Sequence, residues 1–277
     1  MALALVGGCG GSSAAAPEQR SVVAAFYPIA FAAEQIGGDT VQVDNLTPAG
    51  AEPHDVELSP RHVGKVREAD FVFYLGSGFQ PALERAVDGA KGTTVDLLDG
   101  LRLRPAVGEE HGLDPHVWLD PVLYSRMARR IGDTLGRPAP ARAFARRLGV
   151  LDGEYRRGLA SCKRREIVTS HAAFGYLAAR YHLTQIPITG VSPEAEPTPR
   201  ELQKVVRAVR AHGATTVFFE TLVSPDLART VARETGARTA ALDPIEGLTK
   251  DELAAGENYL SIMRANLRTL RQALACR

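Results

Sequence analysis

The chain has 277 residues, which is enough for about two domains of ordinary size. Hydrophobic residues make up 45% and charged residues 23%, a balance that is typical of globular proteins and excludes a disordered or collagen-like chain. Lys and Arg number 33 against 32 Asp and Glu, so a net charge of +1 gives no electrostatic basis for binding nucleic acid. No apolar stretch is long enough to span a bilayer.

The first residues read MALALVGGCGGSSAAA and are typical of the end of a secretory signal. Val6-Gly7-Gly8-Cys9 resembles a bacterial lipobox, in which the chain is cleaved before the cysteine and the cysteine is lipidated. Residues 1–20 are therefore predicted to be a signal remnant and a tether anchored by lipid at Cys9. The alternative is a poorly ordered N-terminus with a chance cysteine.

Two further cysteines, Cys162 and Cys276, form an even pair once Cys9 is set aside. In an exported chain such a pair is a candidate disulfide, which here would join the C-terminal helix to the start of the second half. Two buried free thiols are the alternative.

Short apolar runs alternate with helical patterns through both halves of the chain. The first half is predicted to contain strands at residues 21–27, 41–46, 71–75 and 93–97. The second half is predicted to contain strands at residues 166–169, 185–189, 215–219 and 238–242. Helical stretches separate them, and the last, at residues 250–274, ends the chain. This alternation predicts an α/β fold with mainly parallel sheets.

Two helical stretches, residues 121–135 and 139–161, lie between the halves. The second is predicted to be a single long helix that bridges two α/β lobes and limits their relative movement. The predicted division is a lobe at 21–137, a bridging helix at 138–162 and a lobe at 163–277.

Several polar side chains follow predicted strands or precede predicted helices. They are His54, His116, His171, Glu220 and Asp243. Ligands of open α/β sheets bind beyond the carboxyl ends of the strands, and imidazole and carboxylate are ligands of zinc and similar divalent metals. Each residue also has a structural explanation, such as a turn, a helix cap or lobe packing. Their agreement in place and chemistry predicts a metal site.

Five ordered motifs resemble the zinc/manganese substrate-binding proteins of bacterial ABC transporters. They are EPHDVELSP at 52–60, DPHVWLDP at 114–121, TSHAAFGY at 169–176, FFET at 218–221 and LDP at 242–244. The resemblance implies two α/β lobes, a rigid bridging helix and one metal ion in the cleft, held by His54, His116, His171 and Asp243. It also implies an extracytoplasmic binding protein without enzymatic activity that delivers metal to an ABC transporter permease.

Three imidazoles and one carboxylate favour Zn²⁺ over Mn²⁺. The resemblance does not assign Glu220, which we expect to accept a ring N–H from a liganding histidine. The protein is expected to be a monomer, with a separate zinc metallochaperone as a further candidate partner.

Many zinc-importing members carry a long loop rich in histidine and acidic residues before the second ligand. Here that stretch is only Gly108-Glu-Glu-His-Gly112, so His111 is expected to contribute little to affinity. The alternatives are a manganese-binding or mixed-metal member, a zinc hydrolase with Glu220 as its base, and a binding protein for an organic ligand or a chelated metal. The hydrolase is disfavoured because HExxH is absent and four protein ligands leave no position for water.

Overall fold

The computed structural model describes residues 19–107 and 112–277. The predicted lipidation site Cys9 and the short loop with His111 lie outside these residues. Within the described part of the chain, none of the helices has the length and apolar character needed to cross a lipid bilayer.

Two parallel sheets form the centres of two α/β lobes. The first sheet has the strand order β2-β1-β3-β4 and the second has the order β10-β9-β7-β8. A two-stranded antiparallel hairpin, β5-β6, follows the first sheet along the chain. The strands are β1 (Arg20–Ala24), β2 (Val41–Asn45), β3 (Phe71–Tyr74), β4 (Thr93–Asp96), β5 (Arg104–Pro105), β6 (Leu113–Asp114), β7 (Glu166–Thr169), β8 (Thr184–Pro187), β9 (Thr216–Phe219) and β10 (Arg238–Ala241).

The helices pack around these sheets and connect the parallel strands. They are α1 (Tyr27–Gly37), α2 (Pro60–Glu68), α3 (Pro81–Ala86), α4 (Pro121–Thr134), α5 (Pro138–Gly158), α6 (Gly175–Arg180), α7 (Pro199–His212), α8 (Asp226–Thr235), α9 (Lys250–Ala254) and α10 (Tyr259–Ala273). Five of them begin with a proline at the first helical position, where the missing N–H costs no hydrogen bond. These helices are α2, α3, α4, α5 and α7.

The long helix α5 lies between the two lobes in the chain and contacts both. It packs on α4 and α1 from the first lobe and on α10 from the end of the chain. Its buried side chains, including Phe144, Leu148 and Tyr155, belong to one apolar core that runs from β1 to α10. The Tyr155 hydroxyl donates to the Met263 carbonyl at 2.6 Å, so α5 and α10 are joined by a buried hydrogen bond as well as by apolar contact. The lobe boundaries at residues 137 and 163 stay a prediction.

The chain end differs from the single helix predicted over 250–274. The structure has two helices, α9 and α10, because Gly256 takes a left-handed backbone with φ of 74° and ends the first. Asn258 then starts α10, its side chain accepting from the backbone N–H groups of Leu260 and Ser261. Cys162 and Cys276 form a disulfide, which ties this end of the chain to the segment that follows α5.

Candidate metal centre

Three histidines from separate parts of the chain meet between the lobes. His54 lies in the loop after β2, His116 follows the hairpin strand β6, and His171 follows β7. His116 and His171 are fully buried, and the His54 side chain is 9% exposed. The structure thus brings together the three histidines that the sequence predicted to share a site.

The fourth member of the group is Glu246, whose side chain is also fully buried. Its Oε1 atom lies 3.2 Å from Nε2 of His116, 3.3 Å from Nε2 of His171 and 3.5 Å from Nε2 of His54. The two Nε2 atoms of His116 and His171 are 3.3 Å apart. All four donor atoms lie within 4.8 Å of one another.

The separations of 3.2–3.5 Å between these donor atoms match the distance between neighbouring ligand atoms around one metal ion. Zinc–nitrogen bonds of about 2.0–2.1 Å in a tetrahedron place neighbouring ligand atoms about 3.3 Å apart. Nε2 of His54 and Oε1 of Glu246 are buried and have no hydrogen-bond partner in the described residues. Buried polar atoms are ordinarily satisfied, so these two atoms facing a common centre are the signature expected of metal ligands.

Two carboxylates outside the group orient two of the rings. Asp114 Oδ1 lies 2.8 Å from Nδ1 of His116, and both Glu220 oxygens lie 2.8 Å from Nδ1 of His171. Each contact places the ring proton on Nδ1 and leaves the Nε2 lone pair directed at the centre. Glu220 therefore contacts the histidine ring in the manner that the sequence analysis expected. Asp114 was not predicted in this role, although its place two residues before His116 is a usable signal.

The His54 loop is held by the first lobe. The His54 backbone N–H donates to Glu52 Oε1 at 2.8 Å, and the Gln80 side-chain amide donates to the Pro53 carbonyl at 3.0 Å. The His54 ring packs edge-on against Phe79, with ring centroids 4.6 Å apart. Glu52 and Gln80 are further residues that the sequence analysis did not single out.

The prediction that Asp243 supplies the carboxylate is wrong. Asp243 turns back on its own segment, where Oδ1 accepts from the Ile245 N–H at 2.6 Å and Oδ2 accepts from the Thr221 hydroxyl at 3.2 Å. Burial raises the pKa of its carboxyl to about 7. Asp243 thus shapes the turn after β10, and the acid that reaches the three histidines comes three residues later.

The backbone conformation between Asp243 and Glu246 explains why Glu246, and not Asp243, reaches the three histidines. Ile245 is fully buried and has a φ of 57°, in the left-handed region that β-branched residues rarely adopt. The Trp118 indole N–H donates to the Pro244 carbonyl at 2.7 Å, and the Asn266 side chain exchanges hydrogen bonds with the backbone N–H and carbonyl of Asp243. These contacts hold the turn that directs Glu246 into the centre.

Burial and neighbouring charge act in opposite directions on the histidine rings. Burial lowers the pKa of His54 below its usual value. Burial opposes charging of His171 as well, but the carboxylates of Glu220 and Glu246 outweigh it and raise the pKa of His171 well above its ordinary value. Asp114 and Glu246 raise the pKa of His116 in the same way. In the absence of metal, the neighbouring carboxylates therefore favour the protonated rings of His116 and His171, whereas burial favours the neutral ring of His54.

A family model described as ZnuA, zinc-uptake complex component A, periplasmic, matches residues 22–273. The chain belongs to this family. The zinc-binding lipoprotein AdcA of Streptococcus pneumoniae serotype 4 is 36% identical over 276 residues, which cover 91% of this chain and 55% of that protein. The chain thus spans about half the length of the AdcA relatives that it matches. The high-affinity zinc uptake system protein ZnuA of Bacillus subtilis is 32% identical, with 98% of this chain and 94% of that protein covered.

Solved structures of ZnuA-type proteins share the fold. The laminin-binding protein of Streptococcus agalactiae superposes with a TM-score of 0.86 at 31% identity, covering 93% of this chain and 100% of that one. The Zn(II)-bound ZnuA-like domain of Streptococcus pneumoniae AdcA gives a TM-score of 0.80 at 35% identity, covering 93% and 99%. Two α/β lobes with parallel sheets are therefore the fold of this family and of this chain.

Proposed function

We propose that this protein captures Zn²⁺ outside the cytoplasm and delivers it to an ABC importer. The observation that carries the proposal is the convergence of three imidazole nitrogens and one carboxylate oxygen on a single buried point between the lobes. The family, and relatives named for zinc binding and zinc uptake, support the same function.

Zinc suits this donor set better than manganese does. Three nitrogen ligands favour borderline metals such as Zn²⁺, whereas Mn²⁺ prefers oxygen. The family resemblance led to the same metal with Asp243 as the oxygen donor, and the exchange of Asp243 for Glu246 leaves the ligand types unchanged. A manganese-binding or mixed-metal protein is the alternative, and competition between the two metals distinguishes them.

The geometry favours capture over catalysis. A catalytic zinc site keeps one position open for water, but here four protein atoms can complete a tetrahedral shell. Glu220, the candidate base of a hydrolase, has both oxygens within 2.8 Å of the His171 ring. In this arrangement Glu220 orients the ring of His171, which is one of the proposed metal ligands.

Delivery requires partners beyond the chain. We propose an ABC transporter permease that recognises the metal-loaded form, a lipid anchor at Cys9 that keeps the monomeric protein beside it, and transfer from a zinc metallochaperone as a further source of metal. The relatives named as lipoproteins support an extracytoplasmic location and an anchor of this kind.

The experiment is metal analysis of the purified protein followed by competitive titration with Zn²⁺ and Mn²⁺ against a chromogenic chelator. We expect His116→Ala to lower zinc affinity more than about tenfold, a loss of about 1.4 kcal/mol or more. His212→Ala is the matched control, because His212 lies on the exposed end of α7, outside the cluster. An unchanged titration for His116→Ala would remove it from the metal shell.

A further inference from the structure

Positive charge is concentrated in α5, the helix between the lobes, and in the preceding helix α4. Residues 121–158, which include α4 and α5, contain nine arginines and only three acidic residues. The whole chain has a net charge of only +1, so the rest of the molecule carries an acidic excess. The charge is therefore segregated onto one part of the surface.

One stripe of α5 points directly away from the protein. Arg142, Arg146 and Arg157 are exposed, while the buried residues of the helix lie on the opposite side. Between the arginines the stripe presents Gly153 and the 57% exposed side chain of Val150. The stripe is thus basic at both ends, and its middle has small side chains and is weakly apolar.

Several exposed arginines of α4 and α5 have no acidic partner among the described residues. Arg126, Arg129, Arg142, Arg146 and Arg157 are exposed and make no salt bridge with any residue that the structure describes. Other arginines of the same two helices have partners. Arg130 pairs with Asp99, Arg156 pairs with Asp152, and Arg147 donates to Gln35. We call the three unpaired arginines of the α5 stripe, Arg142, Arg146 and Arg157, the arginine face; Arg126 and Arg129 of α4 are exposed and unpaired as well.

The described chain begins beside this face. The Arg20 guanidinium, at the start of β1, donates to the Leu135 carbonyl at 2.7 Å, so β1 starts next to the connection between α4 and α5. Arg20 is eleven positions after Cys9, and an extended chain of that length reaches about 40 Å at most. A lipid on Cys9 would therefore hold the body close to the bilayer, on the side from which Arg20 emerges.

We propose that the arginine face docks on the anionic phospholipid headgroups of the membrane to which the protein is tethered. Guanidinium groups bind phosphate oxygens in bidentate pairs, and unpaired arginines near an anionic surface are attracted to it. A basic patch adds an electrostatic contribution to the membrane attachment that the proposed lipid on Cys9 supplies, and it determines which side of the protein faces the bilayer. The inference rests on the proposed extracytoplasmic, lipid-anchored function for its location.

The test separates the protein surface from the lipid anchor. The full chain carrying Cys9→Ser is mixed with vesicles of phosphatidylcholine alone or of phosphatidylcholine with phosphatidylglycerol, and binding is measured by co-sedimentation. We expect binding only to the vesicles with phosphatidylglycerol, weakening as salt is raised. Combining Arg142→Gln, Arg146→Gln and Arg157→Gln should lower the partition coefficient more than about tenfold.

The matched control removes the same charge at similar helical spacing elsewhere. Arg200, Lys204 and Arg207 are exposed on α7, and we expect their triple replacement by Gln to change the partition less than about twofold. Equal binding to neutral vesicles, equal loss in both triple variants, or binding to soluble heparin but not to vesicles would overturn the proposal.

Zinc titration of the same proteins distinguishes this proposal from the proposed function. The arginine-face variant should keep its zinc affinity and its melting temperature while losing vesicle binding. Vesicle binding by a parent protein that fails to bind zinc would contradict the proposed function and leave the docking surface standing.

Discussion

Two acids three residues apart have different roles, and their difference can be measured. Glu246 directs Oε1 at three imidazoles, whereas the Asp243 carboxylate accepts hydrogen bonds from Ile245 and Thr221. We expect Glu246→Gln to weaken zinc binding more than about tenfold, because the amide removes the only negative charge in the set of four.

Asp243→Asn is the control for this substitution, since asparagine keeps the oxygen that accepts from Ile245. Its zinc affinity should stay within about threefold of the parent. A large loss for Asp243→Asn beside a small one for Glu246→Gln, in chelator competition, would restore Asp243 as the ligand.

Proton release is a second prediction for these residues. Nearby carboxylates raise the pKa of His171 and of His116, so both rings keep their protons to higher pH than a free imidazole does in the metal-free protein. Zinc binds only unprotonated imidazole, and its affinity should therefore rise as pH increases and fall as pH decreases.

Calorimetry in two buffers of different ionisation enthalpy measures this release, and we expect zinc binding to release protons to the buffer. Glu220→Gln should release fewer protons, because it removes a charge that raises the pKa of His171. A binding enthalpy that is independent of the buffer would contradict the prediction.

At the scale of elements, the β5–β6 hairpin connects the second lobe to a metal ligand. The Tyr176 hydroxyl, near the start of α6, donates to the Asp114 carbonyl at 2.7 Å and accepts from the Arg104 N–H at 2.9 Å. Asp114 in turn orients His116. A contact between lobes thus lies only two residues along the chain from the metal ligand His116.

Tyr176→Phe should lower both stability and zinc affinity. It leaves the Asp114 carbonyl and the Arg104 N–H without this partner, at a cost of about 1–3 kcal/mol in urea-induced unfolding. Tyr74→Phe, a hydroxyl removal on the half-buried strand β3, is the control. Equal behaviour of the two variants in unfolding and in zinc titration would show that the hairpin contact has no special role.

At the scale of the whole molecule, the larger apolar cluster and the Cys162–Cys276 disulfide limit how far the lobes can separate. The main apolar cluster extends from β1 through α5 to α10, while a smaller cluster lies between the second sheet and helices α7 and α8. The Cys162–Cys276 disulfide closes a segment of 114 residues that contains the whole second sheet.

Removing this disulfide should destabilise the protein without changing the metal shell. The chain-entropy model gives an upper value of about 4–5 kcal/mol for a loop of this length. We expect the double substitution Cys162→Ser and Cys276→Ser to lower the Tm by about 10 °C in scanning calorimetry. Cys9→Ser is the control, and an equal Tm for both proteins would show that the bridge contributes nothing to stability.

The sequence by itself determined the alternation of strands and helices and the three histidines of the site. Apolar runs bounded by Gly and Pro predict strands directly, and the carboxyl ends of parallel strands place the residues that follow them at one edge. His171 could be chosen on that ground because it lies two residues after a predicted strand. His116 could be chosen from its place before the helix predicted at 121–135, since the β5–β6 hairpin was not predicted.

Only the tertiary structure decided which acid completes the set. The path of the chain after β10 depends on the left-handed backbone of Ile245 and on hydrogen bonds from Trp118 and Asn266, which are distant in sequence. Sequence spacing favours the acid nearest the strand end, but packing against those distant residues turns Asp243 back and brings Glu246 to the histidines.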